Sequence, residues 1–128
     1  MITTYVLDTG ALVAAERGNE RAARFFRLAH IGRAHLVVPL PVVAEWWRGR
    51  TDVREAVLAA TRVVASVDAA KAAGVALARL KGVHAKLTID ALVMATAALL
   101  DAVVVTGDPG DFFERLGVHF PGVVVLST

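Results

Sequence analysis

Short valine-rich runs, separated by stretches long enough for a helix, constrain this chain more than any other feature. Tyr5-Val6-Leu7, Leu36-Val37-Val38 and residues 63–67, 102–105 and 123–126 are three to five residues long and almost wholly apolar. Runs of that kind read as strands buried on both faces, and strands alternating with helices build a parallel sheet covered on both sides. Between them, Ala22, Phe25, Phe26 and Ala29 recur at the spacing of one helical face, as do Val53, Ala56, Val57 and Ala60, and then Ala73, Ala76, Leu77 and Leu80. Residues 41–48 follow with Pro41 at a first helical turn, where its missing N–H is harmless. Asp68 is a plausible N-cap for the helix ending near Gly82, and Thr88 for residues 89–100. That last helix is apolar on nearly every side apart from Asp90 and Thr96, which predicts burial. A short helix is expected over 111–116. The expectation is a single α/β domain spanning residues 1–128.

Hydrophobic residues make up 56% of the 128, more than ordinary domains need, which fits a buried central sheet and some apolar surface left for a partner. The chain has no cysteine, so disulfides, zinc–thiolate sites and thiol nucleophiles are excluded. Its first residues lack the basic start and long apolar region of a secretory signal. The longest helix-like apolar run, 91–100, is half of what a bilayer span requires. A cytoplasmic protein is expected.

Four acids stand where water should be scarce: Asp8 after the first strand, Glu45 inside Val42-Val43-Ala44-Glu45-Trp46-Trp47, Asp90 in the apolar helix, and Asp108 after the fourth strand. Each has an ordinary explanation. Asp8 suits an N-cap, Asp90 a first-turn acid facing the helix dipole, and Asp108 the turn in Gly107-Asp108-Pro109-Gly110. Glu45 fits such readings least, because Pro41, Val42, Arg48 and Gly49 occupy its helical neighbour positions and only Arg48 offers a counter-charge. In an open parallel sheet, ligands bind beyond the carboxyl ends of the strands where strand order reverses. If the first and fourth strands meet there, Asp8 and Asp108 face each other, Thr106 adds a hydroxyl and Asp111 stands just behind. An all-oxygen donor set favours Mg2+ or Mn2+ over zinc. Setting four of the 12 acids aside in a pocket leaves 14 basic residues in clear excess, which suits a polyanion cut at a metal.

Taken together, Val6-Leu7-Asp8-Thr9, Glu45, residues 90–97 and Thr106-Gly107-Asp108-Pro109-Gly110-Asp111-Phe112 resemble the PIN-domain ribonucleases, and within them the VapC toxins of type II toxin–antitoxin systems. The resemblance covers nearly the whole chain and rests on the order and spacing of the pieces. It implies a five-stranded parallel sheet of order 3-2-1-4-5 and a Mg2+- or Mn2+-dependent endoribonuclease. Asp8, Glu45, Asp90 and Asp108 would be the metal ligands and catalytic acids, supported by Thr9, Thr106 and Asp111. Hydrolysis leaving a 5′-phosphate and 3′-hydroxyl is implied, with Asp90 or Glu45 as proton acceptor. The partners implied are RNA, a second copy of the chain and a VapB-type antitoxin, combined in a larger assembly.

Arg48, Arg50 and Lys86 are candidates for holding substrate phosphates. Phe25, Phe26, Trp46 and Trp47 are expected to line the antitoxin groove, because both members of an adjacent helical pair seldom reach one core. Two other readings are an RNA-processing PIN nuclease without a toxin role and a non-catalytic PIN module that binds RNA or protein. A degenerate module would be expected to lose acids, and all four are present. Phosphatases of the haloacid dehalogenase type need an acid two residues after the first, where this chain has Gly10. Glycine-rich nucleotide-binding patterns are absent.

Overall fold

The computed structural model describes residues 2–48, 52–80, 82, 85–111 and 115–128, the side chains of 85, 86 and 111 excepted. The apolar runs form β1 (Thr3–Leu7), β2 (Ala34–Pro39), β3 (Arg62–Val64), β4 (Val103–Thr106) and β5 (Val125–Ser127). All pair in parallel, in the order β3-β2-β1-β4-β5. The expected sheet and strand order are therefore present. Tyr5 stands opposite Leu36 on one side of β1, and Val6 opposite Val104 on the other. From β1 the chain winds outward through β2 and β3, then returns to build β4 and β5 on the opposite flank. The order reverses between β1 and β4, which opens a crevice at their carboxyl ends.

The helices are α1 (Thr9–Glu16), α2 (Glu20–His30), α3 (Leu40–Trp46), α4 (Asp52–Ala59), α5 (Val67–Ala78), α6 (Ala85–Leu100) and α7 (Pro109–Asp111). Helix α6 lies against β1, β2 and β4 and is itself covered by α5. Its Leu87, Ala91, Val93, Met94, Ala95 and Ala97 are buried, as its composition predicts. Thr96 is tolerated there because its hydroxyl donates back to the Leu92 carbonyl at 2.7 Å. Helix α6 ends with Asp101 in a left-handed conformation (φ 52°) and the Ala102 N–H closing onto the Ala97 carbonyl at 2.9 Å. Helices α1 and α2 pack on each other and against β4 and β2, while α3 and α4 pack on α1.

Three sequence expectations are corrected. Helix α1 has no counterpart among the predicted elements, because Ala11, Leu12, Val13 and Ala14 are apolar on all sides and show no helical period. Residues 63–67 form a strand only as far as Val64, and Ser66, not Asp68, caps α5 by accepting the Ala69 N–H at 3.1 Å. Helix α6 begins at Ala85, so Thr88 lies inside the helix rather than at its cap, and Asp90 is in the second turn. The helix expected over 111–116 shares only Asp111 with α7, which begins two residues earlier, and Phe112 and Phe113 lie outside the described residues.

Among the described residues no helix is long and apolar enough to cross a membrane.

Candidate functional site

The crevice between β1 and β4 is a cleft of about 680 Å3 lined by Asp8, Glu45, Asp90 and Asp108. The four acids come from four separate segments: the β1–α1 turn, α3, α6 and the β4–α7 turn. Thr9, Gly10, Val13, Ala14, Arg17, Gly18, Asn19, Gly107 and Thr128 complete its walls.

Asp8 does two jobs with its two oxygens. Oδ1 accepts the Ala11 N–H at 2.8 Å and so caps α1, as the ordinary reading of an acid after a strand expects. Oδ2 accepts the Thr106 hydroxyl, and Thr106 Oγ1 in turn accepts the Asp108 N–H at 3.0 Å. Thr106 is fully buried, and this relay joins the turn after β1 to the turn after β4. Asp8 is only 7% exposed. Burial pushes its carboxyl above the usual range, the hydrogen bonds from Thr106 and the backbone of Ala11 and Gly107 pull it back, and the nearby Glu45 charge adds to the rise.

Asp90 is equally buried, at 7% exposure on an otherwise apolar stretch of α6. In the second helical turn it is too far in for the N-terminal dipole to account for it. Glu45 is half-buried on α3, where Oε1 accepts the Thr9 hydroxyl from the first turn of α1. Asp108 is exposed at the mouth of the cleft. Exposed Arg48 does not line the cleft, and Arg50 and the side chains of Lys86 and Asp111 lie outside the described parts.

A close backbone contact holds the cleft together. A Cβ added to Gly10 would come within 3.0 Å of the Gly107 nitrogen, and one added to Gly107 within 3.2 Å of the Gly10 carbonyl group. The first turn of α1 and the loop after β4 therefore touch main chain to main chain. Gly10→Ala, normally mildly stabilising in a helix, is expected here to cost about 1–3 kcal/mol, because two backbones rather than flexible side chains must move apart. Urea unfolding checks this, and a variant as stable as the parent contradicts it.

Arg17, Asn19 and Thr128 line the cleft without having been singled out in the sequence. Arg17 caps the end of α1, a helix without a periodic signal, and Asn19 caps α2 through the Ala22 N–H at 2.9 Å. Thr128 arrives because its N–H donates to the Thr106 carbonyl at 3.0 Å, a neighbour relation only sheet order creates.

The aromatic residues divide differently from expectation. Trp46 is 2% exposed and belongs to the core, with its indole N–H donated to Glu16 Oε1 at 3.1 Å. Trp47 stacks edge-on against it at 5.8 Å. Phe25 packs on Tyr5 at 4.9 Å, facing a different hollow from Phe26. The four rings therefore do not line one groove. Phe26 alone among them lines an apolar hollow of about 510 Å3, with Ala15, Ala23, Arg27, His30, Ile31 and Val57.

The cleft suits a hard divalent cation by its chemistry: the acids and hydroxyls that line it offer oxygen donors, with no cysteine in the chain. Among the described residues, no three acidic or histidine side chains are drawn tightly enough together to hold an ion as they stand. The fit thus rests on donor type, on convergence upon one cleft and on the mutual repulsion of Asp8 and Glu45, which a cation would relieve.

Residues 5–118 match the family model of the PIN domain. No curated protein sequence matches the chain at a significant level. Among solved structures it is similar to VapBC2 from Rickettsia felis bound to a promoter DNA fragment, at TM-score 0.76 and 16% identity over 98% of this chain and 99% of the other. It is also similar to DNA-bound VapBC from Salmonella typhimurium, at TM-score 0.73 and 20% identity over 99% and 98%. A toxin–antitoxin complex from Klebsiella pneumoniae aligns at TM-score 0.62 and 24% identity over 94% and 95%. With a family match over most of its length and the sheet order in agreement, the chain belongs to the PIN domain family.

Proposed function

We propose that this protein is a Mg2+- or Mn2+-dependent endoribonuclease, acting as the toxin of a VapBC-type pair in the cytoplasm and neutralised by a cognate antitoxin. One observation carries the nuclease reading: four acids from four distant segments line a single cleft at the reversal of strand order. The toxin role is supported by the similar structures, two described as VapBC and one as a toxin–antitoxin complex.

Asp8, Asp90, Asp108 and Glu45 would hold the ion. When bound, a divalent ion supplies Lewis-acid charge neutralisation and activates water near neutral pH. The chain's own residues do the rest. Thr106 and the Ala11 N–H fix the orientation of Asp8. Thr9 fixes Glu45, leaving that carboxylate or Asp90 to accept a proton from the attacking water. Arg17 at the cleft wall offers a guanidinium to a phosphate. The Phe26 hollow, largely apolar with Arg27 and His30 at its edge, suits an amphipathic antitoxin segment. A homodimer within a larger toxin–antitoxin assembly completes the proposal.

The purified protein is expected to cut RNA with Mn2+ or Mg2+ and to stop on addition of EDTA. Asp90→Asn should slow cutting by about 100- to 1000-fold or more and abolish growth arrest on expression. Cleavage that persists in EDTA, or an Asp90→Asn protein as active as its parent, would count against the assignment.

A further inference from the structure

Glu16 lies outside the cleft, yet its carboxylate gathers three helices. On α1 it accepts the Trp46 indole N–H of α3 on Oε1 at 3.1 Å, and the Arg54 Nε of α4 on Oε2 at 3.0 Å. Arg54 Nη2 reaches Oε1 at 3.5 Å, and the guanidinium sits 5.8 Å from the Trp46 ring centroid. The Glu16 and Arg54 side chains are each only 17% exposed. This is no loose surface pair. The Arg54 and Trp46 hydrogen bonds hold the Glu16 carboxyl below the usual range, against the opposing pull of burial.

The geometry relates this cluster to the cleft. Trp46 follows Glu45 directly, and Thr9 and Glu16 are seven residues apart on α1. Seven residues make nearly two full turns, so Thr9 and Glu16 share one face of α1 about 10 Å apart. Consecutive residues of α3 are thus tied to two points on the same face of α1: Glu45 to Thr9, and Trp46 to Glu16. Burial of Val42 and Trp46 in the core seats α3, and a single hydrogen bond beside that packing would set its rotation less firmly. Two points of attachment set both its distance and its rotation. Helix α3 spans only Leu40–Trp46, and no side chain caps its start, so it has little internal stiffness to supply that constraint.

We propose that Glu16 is a positioning residue, whose joint hold on Trp46 and Arg54 fixes α3 against α1 and so keeps the Glu45 carboxylate aimed into the cleft. This rests on the metal-nuclease reading.

The test separates positioning from plain stability. Truncating Glu16 alone would leave a buried guanidinium without its counter-charge, so the Glu16→Leu/Arg54→Met double variant replaces the pair with apolar side chains, an exchange that often preserves stability, and only the Trp46 indole N–H then loses its acceptor. Calorimetric titration with Mn2+ is expected to show about tenfold weaker binding than in the parent. The kcat for RNA cleavage should fall with little change in KM, and the amides of α3 should exchange faster with deuterium by a larger factor than those of the sheet. Mn2+ affinity within twofold of the parent, with slow α3 exchange, overturns the proposal. Should the double variant not fold, Glu16→Gln carries the test: it keeps an acceptor but loses the charge, and unchanged Mn2+ affinity and α3 exchange would overturn the proposal equally. A parent protein that neither binds Mn2+ nor cuts RNA fails the nuclease reading itself and takes this inference with it, which distinguishes the two failures.

Discussion

Asp8→Asn is expected to lower RNA cleavage by about 100- to 1000-fold or more, while the protein melts close to the temperature of its parent. Both effects come from one side chain. The amide oxygen of asparagine can still accept the Ala11 N–H and cap α1, and its NH2 can donate to the Thr106 hydroxyl, whose own proton then loses its present acceptor. What disappears is the charge. The Asp8 carboxyl is pushed up in the folded chain by burial, partly offset by its hydrogen bonds. A carboxyl whose folded pKa exceeds its unfolded value costs the fold stability as pH rises through that range. The parent carries this cost at neutral pH, and the variant does not. Bound Mn2+ should therefore raise the parent's melting temperature, since a ligand of the native state stabilises it by mass action. The variant should respond much less. Melting curves with and without Mn2+, run beside a cleavage assay, read both halves, and parental activity in the variant would contradict the role given to Asp8.

Trp46→Ala should destabilise the fold by about 3–5 kcal/mol, the usual loss for truncating a large buried aromatic residue. Trp46 is 2% exposed, and its removal also takes a donor from Glu16 and the ring beside Arg54. Phe26→Ala, on a half-buried residue facing a hollow, should cost less, about 0.5–3 kcal/mol, and its larger effect should fall on antitoxin binding. Urea titrations of both variants decide the matter. Equal and small losses would mean that Trp46 is an interface residue after all, as its place in a tryptophan doublet suggests from sequence.

That contrast shows where sequence reading reaches its end. Adjacent aromatic residues on a helix point about 100° apart, so one of Trp46 and Trp47 was bound to lie deeper than the other, but nothing local says which. The answer depends on where Glu16 and Arg54 come to lie, 30 residues before and 8 after in the chain. Helix α1 escaped detection for a related reason. It is packed between α2, α3, α4 and the sheet, so apolar residues on several sides are tolerated and no helical period survives. The start of α5 shifted because Ser66 and Asp68 can each serve as a cap, and the chain uses Ser66.

By itself the sequence determined the alternation of valine-rich strands and amphipathic helices, the burial of α6 and the unusual setting of Asp8, Glu45 and Asp90. These are local properties, written in the apolar pattern and in acids set among apolar neighbours. Only the tertiary structure decided that those acids and Asp108 share one cleft, because their segments meet solely through the reversal of strand order between β1 and β4. It alone brought Gly10 against Gly107, Thr106 onto Asp8, Thr9 onto Glu45 and Glu16 onto Trp46 and Arg54. Each of these contacts spans tens of residues or more of chain, and no local preference encodes a partner that distant.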